Sequence, residues 1–214
     1  MRKPASMWSL ETFGRQRLSR YFFMRDFMYS EISGFHGIPN IPENPELALD
    51  PLEETFGRIA LRSGYRSPAL NQYGNENNLN CARNDNPIEC HIWDWGTGAQ
   101  AVAGATIVVP WFADQYAKGR DWRDLAWWLH DHLPYSEMWF FPKLAALNLV
   151  WRPEPQRTIS SYIAPRGMLL RRGATAGETR AERQARYADF PPFRGLRPPV
   201  APAYAKQGSP SGRG

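Results

Sequence analysis

The sequence predicts a single α+β domain in which a small antiparallel sheet is flanked by helices. Three observations carry this expectation. Short segments rich in β-branched and aromatic residues (Ile59 to Ser63, Thr106 to Val109, Met138 to Phe141 and Thr158 to Tyr162) read as strands. Between them lie stretches with helix signals, best developed from Asp121 to His130. A length of 214 residues suits one ordinary domain, and nine Trp within 43% hydrophobic residues supply a substantial core.

Taken in order, Met1 to Arg17 is polar and mixed, and reads as a loosely held arm; the domain proper is expected from Leu18 to Ile163. Leu18 to Phe35 is dense in aromatics, with Tyr21, Phe22, Phe23 and Phe27 reading as core, and His36 follows in a turn. Pro39 to Pro45 is a proline-spaced connector. Glu46 to Phe56 has helical character that Pro51 is expected to interrupt, since proline removes an amide donor and clashes with the preceding turn. Ile59, Leu61 and Ser63 form a strand that breaks at Gly64 into a turn held by Pro68. Asn75 to Asn86 lacks any apolar period and reads as a loop.

Beyond this loop, Ala101 to Val109 reads as a buried strand bounded by Pro110, and Trp111 to Lys118 as a helix. Asp121 is a natural N-cap for the helix that follows, and His130 and His132 lie at its C-terminal pole, where the dipole favours positive charge. Tyr135 to Phe141 is a strand carrying Glu137, Pro142 to Trp151 a short helix or turn, and Arg157 to Ile163 the last strand. Ala164 to Gly214 is rich in Arg, Gly, Pro and Ala, and is expected to be largely disordered apart from a transient helix near Glu178 to Tyr187.

The segment Ser63-Gly64-Tyr65-Arg66-Ser67-Pro68-Ala69-Leu70-Asn71, followed after a polar loop by His91, resembles the zinc D-alanyl-D-alanine carboxypeptidase family. That family also contains phage cell-wall endopeptidases and shares its fold with Hedgehog signalling domains. The resemblance implies a peptidase acting on the D-amino-acid-containing peptides of peptidoglycan, through a zinc-bound water and a glutamate base. It implies that Arg66 holds substrate, with Ser63, Tyr65 and Trp93 beside it, and that Glu137 is the general base. The chain is a divergent member on this reading. Asp94 follows His91 without the family's longer spacer, and Asn148-Leu149-Val150-Trp151 stands where the closing Trp-x-His is expected.

A catalytic zinc takes three protein ligands and leaves one position for water, whose pKa it lowers. His91 and Asp94 are the expected first two ligands, and His132, in preference to His130, the third. The i, i+3 spacing of His91 and Asp94 demands a turn at Ile92-Trp93, because alternate side chains of a flat strand face opposite sides. The same four residues also fit a histidine oriented by a carboxylate with no metal. The alternative function is then a non-catalytic phage or prophage structural or wall-binding protein that kept the fold and lost the metal.

Charge and cysteines bound the setting. From Arg166 onward ten basic residues face three acidic ones, a local +7 against +5 for the whole chain, so basicity belongs to the tail. Those arginines could meet nucleic acid or an anionic surface, but without an aromatic stacking pattern a nucleic-acid partner is not expected. Cys81 and Cys90 bracket the polar loop, either as a disulfide contributing about 2–3 kcal/mol or as reduced thiols of a cytosolic protein. No secretory signal is visible and no apolar run is long enough to span a membrane. A cytoplasmic or phage-associated protein that reaches the wall after release is expected.

Overall fold

Six strands form one sheet: β1 (Ala60–Ser63), β2 (Ala103–Val108), β3 (Glu137–Phe140), β4 (Leu147–Trp151), β5 (Thr158–Ser161) and β6 (Gly167–Leu170). Their spatial order is β1-β2-β4-β3-β5-β6. Every pairing is antiparallel except β3 with β5, which run parallel. The helices are α1 (Glu46–Phe56), α2 (Pro68–Glu76), α3 (Pro110–Tyr116), α4 (Trp122–His132) and α5 (Arg180–Arg186). This computed structural model describes residues 15, 17–27 and 46–195, apart from 87, 95 and 97. The expectations for residues 1–14, for His36, for the 39–45 connector and for the end of the tail lie outside the described residues. Among the described residues no helix is long and apolar enough to cross a membrane.

The α+β class agrees with the sequence, and so does α4; the sheet, expected antiparallel, is so apart from the parallel pair of β3 with β5. The Asp121 carboxylate accepts from the Arg123 amide at 2.9 Å, capping one orphan donor of the first turn. The run that follows buries Leu125, Ala126, Trp127, Trp128 and Leu129. These meet Ala103, Ala105 and Ile107 of β2 and Met138 and Phe140 of β3 in the main core. Alternation along each strand makes this one face of the sheet.

Four elements depart from expectation. α1 runs unbroken through Pro51, which is buried, and Leu49, Leu52 and Phe56 carry its core face. Tertiary packing here outweighs the single amide the proline removes. The turn expected after Gly64 is the start of α2. Ser67 is its N-cap, accepting from the Leu70 amide at 3.2 Å, and Pro68 occupies the first turn, where a missing N–H is harmless. Pro142 to Trp151 is not a helix. A 3-10 turn at Lys143–Ala145 leads into β4, which pairs on both sides with β2 and β3.

The fourth departure is the tail. Residues 164–195, expected to be largely disordered, carry β6 and α5, and Tyr187 and Phe190 enter the main core. α5 docks on α4 through opposite charges. Arg183 meets Asp131 at 2.6 Å, and Arg186 meets both Asp121 and Asp124 at 2.9 Å. Arg120 completes the set with Asp124 at 2.7 Å and Asp189 at 2.6 Å. The basic excess of the tail is therefore partly consumed within the fold.

Candidate functional site

The Ser63 to Asn71 segment sits where β1 ends. Gly64 is obligatory on steric grounds, because a Cβ there would lie 2.3 Å from the Phe27 carbonyl oxygen. His91 is buried, and its Nδ1 lies 2.9 Å from the Gly64 carbonyl. Burial, then the neighbouring Arg66 charge, hold its pKa down to about 3, so the ring is neutral. The Arg66 amide donates to the His91 carbonyl at 2.8 Å. Its guanidinium donates to the Cys81 sulfur at 2.6 Å and lies 3.6 Å from Glu89. Tyr65 is buried and donates its hydroxyl to Asp94 at 3.0 Å, while burial drives its pKa upward. Arg66, Tyr65 and His91 thus pin the 81–94 loop onto the end of β1, with the Arg66 guanidinium facing Cys81 and Glu89 of that loop.

The expected zinc ligands do not converge. His91 Nδ1 lies against the Gly64 carbonyl and Asp94 Oδ2 accepts from Tyr65, and a turn falls at Trp93 and Asp94. His132 lies at the end of α4 with Nδ1 2.8 Å from the Trp128 carbonyl, its ring stacked between Trp128 at 4.7 Å and Phe193 at 4.9 Å. His130 is held instead by the Tyr135 hydroxyl at 2.7 Å, and burial, then Arg157, lower its pKa to about 4. Among the described residues no three His, Cys, Asp or Glu side chains are grouped to hold a metal ion. The donor set therefore does not fit a catalytic zinc. Glu137 is bound by Arg152 at 2.5 Å. Trp93 packs against Phe27 and donates its indole N–H to the Gly104 carbonyl at 3.0 Å. It belongs to the wall of an apolar cavity of about 270 Å³, with Leu18, Ile107, Tyr135 and Leu149. Cys81 and Cys90 are both free thiols; burial, then Glu89, push the Cys90 thiol up.

The other face of the sheet carries a half-buried polar row. Registers align Ser63 with Thr106, Thr106 with Asn148, Asn148 with Trp139, and Trp139 with Ser160. These residues form one row across five strands. The Thr106 hydroxyl donates to Asn148 Oδ1 at 2.6 Å. On one side of the row, Cys90 covers Gly104 and packs with Val102 and Val150. On the other, Val108, Ala113 and Ala146 cluster with Phe141 beneath α3. The row between them is half-buried at Ser63, Thr106, Asn148 and Trp139, and closes at buried Ser160, which makes it the floor of a groove. Tyr162 stands at its end, 5.2 Å from Trp139 and 5.7 Å from Phe141 between ring centroids.

Of the expected substrate residues only Ser63 reaches this floor. Thr106, Asn148, Trp139 and Ser160 were not singled out, and only the alternation of Trp139 and Phe141 with buried Met138 and Phe140 could have flagged the open face. Comparison of the chain with protein-family models, with curated proteins and with solved structures found no match.

Proposed function

We propose that this chain binds peptidoglycan fragments in the groove over Thr106, Asn148 and Trp139 without hydrolysing them. The carrying observation is the row of uncharged polar and aromatic groups across an open sheet face, in a fold whose expected metal ligands are dispersed. The Ser63 to Asn71 segment, which resembles the wall peptidases, supports the choice of ligand, since it delivers Ser63 to that row. A binding surface needs a few placed polar groups and an apolar contact area, and the row with Trp139 and Tyr162 supplies both. A hydrolase would need an activated nucleophile. Glu137, the expected base, is paired with Arg152.

Cosedimentation of the full chain with purified wall sacculi tests the reading. The protein is expected in the pellet, with no release of free amines or reducing ends, with or without added zinc. Thr106→Trp, which fills the groove floor, is expected to return it to the supernatant. Protein that stays soluble with sacculi overturns the proposal. Zinc-dependent release of amines that disappears in His91→Ala restores the metallopeptidase reading in its place.

A further inference from the structure

We infer that the groove reads the glycan strand of the wall and not its peptide stem; this rests on the wall-binding reading and specifies it. The first ground is charge. The floor formed by Ser63, Thr106 and Asn148 carries hydroxyls and an amide and no ionised group. A stem peptide presents carboxylates and amines that lose hydration on binding and need charged partners. The nearest guanidinium of the expected substrate segment, Arg66, is mostly buried and engaged with Cys81 and Glu89. Glu137 and Arg152 neutralise each other at the groove's edge.

The second ground is the aromatic end. Trp139 and Tyr162 lie with centroids 5.2 Å apart and planes at 41°, and Tyr162 is 45% exposed. Two canted rings on an open face offer flat apolar area at little entropic cost, with few side-chain torsions to freeze. A pyranose ring has a matching C–H face for such a surface. Its equatorial hydroxyl and acetamido groups at the rim suit the Thr106 oxygen as acceptor and the Asn148 amide N–H as donor, the uncharged capacity that their mutual hydrogen bond leaves. A neutral, N-acetylated, β-linked hexosamine chain satisfies both grounds together.

The test is calorimetric titration of the full chain with two probes: a β-1,4-linked N-acetylglucosamine tetramer and the free wall stem tetrapeptide. The tetramer is expected to bind and the peptide not. Tyr162→Ser, a surface change, should weaken tetramer binding by about tenfold, the size of one lost aromatic contact. Trp139→Ala should weaken it further and remove the Trp139 indole shift in NMR spectra of the wild-type complex. Peptide binding without tetramer binding overturns this inference and leaves the wall-binding reading standing. Binding of neither probe, together with no affinity for sacculi, removes both. A concentration-dependent dimer that Tyr162→Ser dissolves, with no tetramer binding, assigns the aromatic face to self-association and overturns the inference.

Discussion

Replacing Phe190 by alanine should destabilise the whole domain, although Phe190 lies in a stretch whose composition suggests disorder. Its side chain is 7% exposed. The ring lies 5.1 Å from Trp111 at 73°, 5.9 Å from Phe56 at 81° and 5.9 Å from Phe112. The Arg120 guanidinium lies over it at 5.0 Å. Truncating a buried phenylalanine costs about 3–5 kcal/mol from lost transfer energy and the cavity left behind. For a chain of this size each kcal/mol moves the melting temperature by about 2–4 °C, so a fall of roughly 6–20 °C is expected. Differential scanning calorimetry reads it directly, and amide exchange should show protection at Phe190, whose N–H donates to Tyr187 at 3.0 Å. A variant that melts within about 2 °C of the parent would refute the argument, because a residue in a disordered tail has no cavity to leave.

Three further outcomes follow from the same geometry. Arg183→Ala should cost about 2–3 kcal/mol in chemical denaturation, because it leaves Asp131, whose side chain is 6% exposed, with the Tyr187 hydroxyl but without its guanidinium; Arg83→Ala, whose ion pair with Asp85 is 74% and 65% exposed, should change stability by under about 0.5 kcal/mol. Equal effects for the two would remove the docking role given to α5. Gly64→Ala should give little soluble folded protein, since the new Cβ meets Phe27 backbone and not a movable side chain; a native melting curve for it would contradict the close approach. Acid should unfold the protein early. His91 has a folded pKa of about 3 against an ordinary 6.5, so below pH 6.5 the unfolded chain takes up a proton that the folded one refuses. Stability is full above that value and falls by about 1.4 kcal/mol per pH unit for this one group down to its folded pKa. His130, lowered to about 4, adds to the slope in a smaller measure because it is less buried. His91→Gln, read by denaturation midpoints between pH 4 and 7, should flatten the profile.

The elements legible in the sequence were those whose signals are local. α4 announces itself through Asp121 and a dense apolar run, and β2 through consecutive β-branched residues. α5 was legible too. Thr179 and Glu182 form a capping box, with the Glu182 amide donating to Thr179 Oγ1 at 3.3 Å and Glu182 accepting from the Thr179 amide at 2.7 Å. Composition points the other way, because it counts each arginine as solvated. Arg183 and Arg186 are instead paired with carboxylates on an element more than fifty residues earlier in the chain, Asp131 and Asp124. β4 is hidden from the sequence for a similar reason. Leu147, Leu149 and Trp151 alternate as a strand should, but Pro142 and Pro153 bracket them, and Asn148 is a poor strand former. Pairing on both sides overrides that propensity.

The site was harder to see than the fold, and the cause lies in how a sheet assembles function. The resemblance of residues 63–71 directs attention to the histidine and carboxylate beyond the polar loop, and the fold does bring His91 to Gly64 and Asp94 to Tyr65. Those contacts are used to anchor a loop. The groove draws Ser63, Thr106, Asn148, Trp139 and Ser160 from five strands, and Thr106 and Asn148, which share a hydrogen bond, are 42 residues apart. No spacing rule links them; only the register does. The hairpin of β3 and β4, followed by β5 running parallel to β3, places Trp139 between Asn148 and Ser160. A one-residue slip of β3 would turn Trp139 into the core and Met138 into the groove. The burial of Met138 and Phe140 against α4 opposes that slip, so the core that stabilises the domain also sets which side chains the groove displays.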